Sequence, residues 1–565
     1  MKSLHYEKDG SLISLDQFKN SLYEPNLLPR ILGFIDDPLP NRALGQILPH
    51  PEMNITHPNL NDGVLGIEVE DNGGGIGEIV IIINGKEVSR DVRNVSAAES
   101  GSVDLQYQIS GHPYLKGDGI DRVVIKAYNK DGSMSTSERS ISVFPDSKLS
   151  QVKPKLYAVI AGTSDYGGEA LDLDYAAKDA EDFAKVLELS AINQFGKDEV
   201  EIALLTTNND DLSMWPLKRN LDSVFTAFGE KARAVDYLVV YLSGHGVNDG
   251  DFYYLTADAS DPVLEDRDKA NVAISSLELT SMIQKVPALK QVLVLDACHS
   301  GRFANDLIQS ESITVMEAER IKAMERMKDR MGMYVLAGSK ADAVSYEADL
   351  FGQGLLTYSI LFGIKGAALE NEAVDVIDLF QYVQSKVPEL AADIGGIQRP
   401  EVRYPANAES FSLGQLSQAE RDDIQLVQPK PIFTISSFQD EKQYLDVLQI
   451  GKLMDHDLRT LASEEGEIVF VRKSSFSDAY HIKGRYNVTQ EKIRIRGRLY
   501  KGEERVSDFN REGNDPEGVF AGQLLHMASE SSMQDTRKNK DTTIAVKTAD
   551  LNVNCRIFQF IDPLK

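Results

Sequence analysis

The sequence predicts an α/β domain built on a mostly parallel six-stranded sheet with helices on both faces. An all-β sandwich precedes it and a small α/β domain follows, within a chain of 565 residues. Three observations predict this architecture. From 46 to 148, short alternating apolar and polar runs recur between turn signals. From 150 to 415, apolar runs of buried-strand type alternate with helical stretches, the pattern of a parallel sheet. Beyond Pro429 and Pro431, residues 431–565 carry strands and one helical stretch.

Residues 1–45 have no clear core pattern. They read as a strand and turn, then a short helix ending at Pro29, as at the edge of a larger domain. Strand runs follow at Gly63–Asn72, Glu78–Val88, Val103–Ser110, Asp121–Asn129 and Glu138–Pro145. Asn84-Gly85, Asp118-Gly119 and Asp131-Gly132 between them favour tight turns with positive φ. Regular short strands of this kind suggest an immunoglobulin-like sandwich acting as a spacer or docking module.

In the central region the strand candidates are Leu156–Gly162, Glu201–Thr206, Asp236–Ser243, Lys290–Asp296, Met333–Gly338 and Pro400–Arg403. Helices are expected at Tyr175–Leu189, Leu217–Phe228, Ser276–Lys285 and Leu356–Phe362. The last segment reads as strand Pro431–Phe438, helix Glu441–Ser463, then strands Gly466–Ser474, Ala479–Val488 and Lys492–Gly502. It resembles the small domain at the amino end of TolB-like proteins.

A formal net charge of −27 argues against nucleic acid or an anionic membrane as the main partner. Two cysteines, Cys298 and Cys555, make no disulfide framework and fit a reducing compartment. The amino terminus lacks an apolar signal region, and no stretch reaches the ~18 apolar residues of a spanning helix. A cytoplasmic protein is expected.

Two strings carry chemistry. Val239–Gly246 and Val292–Gly301 each run from a buried-type strand into small residues with one reactive side chain, His245 in the first and Cys298 in the second. Open α/β sheets place their chemistry at such strand ends. Gly301 permits a sharp turn into a helix, whose free amides favour a thiolate and can hold an oxyanion. Glycines on both sides of His245 suit an imidazole on an exposed turn. His299 would point away from the site, and Cys555 has the setting of a core residue. Together these residues point to a cysteine peptidase with a Cys298–His245 dyad and no evident third member.

Lys155–Phe183, Tyr237–Gly246, Val292–Gly301, Tyr334–Glu347, Phe351–Ile364 and Gln398–Gly414, in that order, resemble the caspase-like peptidases of clan CD, in particular bacterial caspase homologues and metacaspases. The resemblance implies an acidic pocket for the substrate side chain before the cleaved bond, formed by Asp296, Asp179 and Ser243. Lys178 stands where that family carries Asn. The amides of Gly246 and Cys298 are the implied oxyanion donors. Protein or peptide substrates with Arg or Lys at the cleavage point follow, with partners or oligomers acting through the flanking domains. The alternatives are a silent caspase-fold scaffold and a clan CD peptidase of another preference.

Metacaspases often need calcium. Asp249, Asp251, Asp258, Asp261 and Asp306 lie in the relevant regions without convincing ligand spacing, so no cofactor is assigned. The stretch from Arg302 to Met331 reads either as an exposed amphipathic helix or as a self-cleaved linker. The first reading sets Glu317, Glu319 and Glu325 beside Arg320, Lys322 and Lys328. The second offers Arg320, Lys322, Arg326, Lys328 and Arg330 as cleavage points.

Overall fold

A computed structural model describes residues 5–8, 11–24, 27–32, 48–56, 63–88, 91–93, 101–116, 120–143, 153–249, 251–261, 266–297, 313–338, 352–369, 372–393, 398–405, 409–424, 431–460, 462, 468–471, 479–489 and 492–513. The chain forms two compact units. One holds residues 1–341, 359–387 and 398–421, and the other 342–358, 388–397 and 422–565.

The central sheet has six strands: β1 Leu156–Gly162, β2 Val200–Thr206, β3 Tyr237–Gly244, β4 Lys290–Ala297, β5 Tyr334–Ala337 and β6 Glu401–Arg403. Their order is β2-β1-β3-β4-β5-β6. The first five are parallel and β6 is antiparallel to β5. All six expected strands are present, their ends shifted by about one residue, within ordinary boundary scatter. β1 and β3 are buried at every position, which is why they read as continuous apolar runs.

Helices cover both faces. On one face lie α1 Ala176–Phe195 and, beyond Ser359, the stretch with Ile360, Ile364, Leu379 and Phe380, against Val239, Val292 and Val294. On the other lie α2 Lys218–Gly229, α3 Ser276–Gln284 and α4 Ile313–Met331. Gly162 lets α1 close on β1. A Cβ there would stand 2.3 Å from the Ala176 carbonyl oxygen and 2.7 Å from the Ala180 Cβ. A capping box starts α3, with Ser275 receiving the Glu278 N–H and Glu278 accepting the Ser275 N–H.

The helix α4 corrects one expectation. It is not an exposed appendage: Ile321, Ala323, Met324, Met327 and Met331 are buried, and the last four belong to the core beneath the sheet. Parallel neighbours β4 and β5 cannot be joined by a hairpin, and α4 is their crossover. Its charged side is tied down as well. Arg330 pairs with Glu87 (Nε to Oε2 3.0 Å), Arg326 with Asp251, and Lys322 with Glu24 (3.1 Å). Glu325 takes Lys328 at 2.6 Å, Lys19 at 3.2 Å and Arg403 at 3.0 Å.

Ahead of this domain, strands Glu52–Ile55, Val64–Glu70 and Ser102–Gln108 form one antiparallel sheet. Ile79–Ile83, Lys86–Glu87, Asp121–Ala127 and Arg139–Val143 form a second. Inward residues of both, among them Leu65, Ile67, Ile81 and Ile125, make a single core. Asn84 and Gly85 turn with φ of 52° and 87°, as expected for Asn-Gly, while the Asp118-Gly119 turn lies outside the described residues. Lys86 of the short strand Lys86–Glu87 and Tyr114 dock this sandwich on the central domain. Lys86 is buried and donates to the Val286 carbonyl, and the Tyr114 hydroxyl donates to the Gln284 carbonyl at 3.0 Å. Burial holds the Lys86 amine well below its ordinary value.

Residues 5–32 have more structure than their pattern suggested. A hairpin, His5–Lys8 with Ser11–Ser14, precedes short helices Lys19–Leu22 and Leu27–Ile31. Pro29 therefore lies inside a helix rather than ending one, in a first turn where its missing N–H costs nothing. Ile13 and Phe18 pack with Met134, which is a sandwich residue.

In the other unit, strands β7 Ile432–Thr434, β8 Ser437–Asp440, β9 Val469–Val471, β10 Tyr480–Val488, β11 Ile493–Lys501 and β12 Glu504–Gly513 form one sheet. The helix Ile450–Thr460 packs on it and supplies Ile450, Met454 and Leu458 to its core. No described helix is long and apolar enough to cross a membrane.

Candidate active site

The strand order turns back between β1 and β3, and open α/β sheets bind ligands at the carboxyl ends of strands beside such a reversal. Gly162, Ser243 and Asp296 lie side by side there, in register on β1, β3 and β4. The next pair along is Gly244 with Ala297. His245 follows one member of that pair in the chain and Cys298 follows the other. Cys298 lies outside the described residues, as do His299, Asp306 and Cys555.

His245 is 4% exposed, which corrects the expectation of an exposed turn. Its Nε2 stands 2.7 Å from the Leu171 carbonyl oxygen. A carbonyl can only accept, so Nε2 carries a proton in this contact. The backbone holds the residue too. Its N–H donates to the Tyr166 hydroxyl oxygen at 2.8 Å, and its carbonyl accepts from the Leu255 N–H at 3.0 Å. The Tyr166 ring lies against the imidazole with centroids 5.1 Å apart. Burial, with Tyr254 beside it, keeps the Tyr166 phenol well above its ordinary value, so it stays protonated.

The flanking glycines have reasons other than a surface turn. Gly244 has φ of +151°, and a Cβ there would meet the Tyr166 hydroxyl at 2.7 Å. A Cβ on Gly246 would meet the Phe252 ring at 2.6 Å and the Ala297 carbonyl oxygen at 3.0 Å. Gly246 therefore lies against the last described residue before Cys298. It opens the short strand Gly246–Asn248, paired with Phe252–Leu255.

The three acidic-pocket candidates converge on one face. Ser243 and Asp296 share the side of the sheet that carries Tyr241 and Val294. That side is covered by α1, whose Phe183 stacks on Tyr241 at 4.6 Å between centroids. Asp179 lies in the first turn of α1, which rests on Gly162, the register neighbour of Ser243. Asp179 and Ser243 are buried, and Asp296 is half-buried.

The aspartates weighed as calcium ligands have other partners. Asp249 pairs with Lys269, Asp251 with Arg326 and Ser276, and Asp258 accepts from Thr256 at 2.6 Å. Among the described residues no group of three or more His, Cys, Asp or Glu could hold a metal.

Tyr166 and the Leu171 carbonyl were missed by sequence reasoning. Tyr166 had a signal, since it lies in the resembling stretch Lys155–Phe183 within reach of the β1 end. A backbone acceptor has none.

Comparison with known families matches residues 155–411 to the caspase domain. No curated protein matches. Similar solved structures include two polysaccharide deacetylases, from Bacillus cereus and Bacillus anthracis (the latter a putative one), and a minor pilin, PilB, from Streptococcus sanguinis. The first is 12% identical, over 50% of this chain and 79% of its own, with a TM-score of 0.14. The second is 11% identical over the same shares, with a TM-score of 0.14. The pilin is 10% identical over 47% and 84%, with a TM-score of 0.19. Scores this low carry no argument.

Proposed function

From the match of residues 155–411 to the caspase domain, we propose that the chain is a caspase-like cysteine endopeptidase of clan CD, cutting proteins or peptides after Arg or Lys. Cys298 is the nucleophile and His245 the base. The observation that supports this most is the pairing of Gly244 with Ala297, the residues immediately before His245 and Cys298, on adjacent parallel strands. Nδ1 of His245 takes the thiol proton and Cys298 attacks the scissile carbonyl. The amides of Gly246 and Cys298 receive the oxyanion, and His245 returns the proton to the leaving amine. Water then releases the acyl group. The Leu171 carbonyl holds the ring and favours the imidazolium formed in the first step.

The substrate cation enters between Asp296, Asp179 and Ser243. The sandwich, read as immunoglobulin-like, and the carboxy-terminal domain regulate access or dock partners, and the two-cysteine composition supports residence in the cytoplasm. Cleavage profiling of the purified chain on a peptide library tests this reading. Arg and Lys should dominate at the cleavage point, and any other preference rejects it.

Two further results are expected. Tyr166→Phe removes the acceptor of the His245 N–H and should lower kcat about tenfold with KM unchanged, as loss of one hydrogen bond of ~1.4 kcal/mol implies. Steady-state kinetics on an Arg-ending reporter measures it; an equal rise in KM would make Tyr166 part of substrate binding. Self-cleavage after Lys322, Arg326, Lys328 or Arg330 should not occur, because α4 there is core-packed and ion-paired rather than an exposed linker. Intact-mass measurement of the incubated active chain checks this, and a fragment ending at any of those residues would contradict it.

A further inference from the structure

The sheet of the carboxy-terminal unit has two unlike faces. Tyr480, Ile482, Tyr486, Ile493, Ile495 and Leu499 of β10 and β11 point into its core. Gly484 and Gly497, paired with each other, make room inside for the Phe438 and Phe509 rings. The alternate positions of the same strands are exposed, and they are cationic: Lys483 and Arg485 on β10, Arg494, Arg496 and Arg498 on β11.

These cations face one another. Lys483 is directly opposite Arg498, and Arg485 opposite Arg496. Like charges at opposed positions destabilise a sheet. Acids relieve only the β12 side, where Glu512 pairs with Arg494 at 2.9 Å and Asp508 lies 3.8 Å from Arg498. Among the described residues no acidic side chain pairs with Lys483, Arg485 or Arg496. Lys483 lies instead over the Tyr500 ring, 5.3 Å from its centroid. His481 stacks on the same ring and is held below its ordinary pKa, by burial first and then by Lys483. In a chain of net charge −27, a face with five clustered cations, two of them beside β12 carboxylates, is a local reversal of sign.

We infer that this face binds single-stranded nucleic acid through its phosphates. Alternate residues on a strand stand about 7 Å apart, so Arg494, Arg496 and Arg498 form a row of evenly spaced guanidinium forks. Such forks match phosphate oxygens bidentately, which Lys cannot do. The second row, Lys483 and Arg485, runs roughly 5 Å away and completes a flat cationic track for an extended polyanion. The whole-chain charge opposes wrapping by a duplex but does not oppose a short strand lying on one face. This inference stands apart from the peptidase reading and involves none of its residues.

The test uses the full chain and a fluorescein-labelled oligothymidine of about 20 nucleotides, followed by anisotropy from about 50 mM salt upward. Binding should weaken steeply with salt. Arg485→Ala with Arg496→Ala should lower affinity at least about tenfold and flatten the log–log salt slope by about 1.4, two phosphate contacts at ~0.7 each. Removing opposed like charges should not unfold the sheet, and Arg485→Lys with Arg496→Lys should retain the slope. Peptide cleavage by both variants should equal that of the parent. The inference is overturned if the parent chain ignores the oligonucleotide, if the alanine pair binds as tightly as the parent, or if phosphatidylserine vesicles bind where the oligonucleotide does not.

Discussion

Cys298→Ala and His245→Ala are each expected to reduce cleavage of an Arg-ending peptide by roughly four orders of magnitude or more, and the double variant should be no worse than either alone. The non-additivity is the informative part. A nucleophile and its base act in one step, so removing either removes that step. The two positions follow Ala297 and Gly244, partners on neighbouring strands, and the His245 ring is oriented through Nε2 by the Leu171 carbonyl. His299→Ala and Cys555→Ala should stay within about twofold of the parent, since neither takes part in that step. The measurement is kcat/KM for all five variants, with circular dichroism to show that each is folded. Substantial turnover by Cys298→Ala would end the assignment.

The second large effect concerns the substrate. Asp296→Ala should lower kcat/KM for Arg-ending peptides by roughly 30- to 5,000-fold, the range that ~2–5 kcal/mol for a desolvated charge pair implies. Asp296 is half-buried and shares its face of the sheet with Ser243 beneath α1, which carries buried Asp179. An arginine entering there exchanges water for carboxylates, whereas an aspartate would meet like charge. Asp-ending reporters should therefore remain uncleaved by the parent chain. If they were cleaved faster than Arg-ending ones, the pocket assignment would be wrong even with the dyad intact.

Much of the central sheet was legible because its strands are buried on both faces. Leu156–Gly162 and Tyr237–Gly244 read as unbroken apolar runs, and such runs can be placed without knowing their neighbours. The strand-end position of His245 was legible for the same reason: a run that stops abruptly in Gly and a reactive side chain marks a carboxyl edge, whereas the pocket candidates Asp296, Asp179 and Ser243 came only from the family resemblance. The burial of His245 was not. It comes from Tyr166 and Leu171, brought in by the loop after β1, and from the close approach of Tyr166 and Phe252 that Gly244 and Gly246 permit. A glycine pair looks alike in sequence whether it frees the backbone or admits a ring.

The helix α4 was misread because its composition is that of a solvated helix. Its Met324, Met327 and Met331 spacing marks a buried stripe, and two adjacent parallel strands on either side demand a crossover. Its ion pairs reach Lys19, Glu24, Glu87, Asp251 and Arg403, residues far away in the chain, and no local pattern announces them. The cationic face had the opposite history. Its alternation is plain in Ile493–Lys501, but only the register showed that β10 sets like charges against it.

The central claim is tested most directly by a thiol-directed peptide probe with arginine at the cleavage position, followed by mass mapping of the labelled chain. The account predicts one adduct, on Cys298, with Cys555 unlabelled, the adduct lost in His245→Ala and strongly reduced in Asp296→Ala. Labelling of Cys555 in place of Cys298, or equal labelling of Cys298 by a probe carrying aspartate, would contradict it.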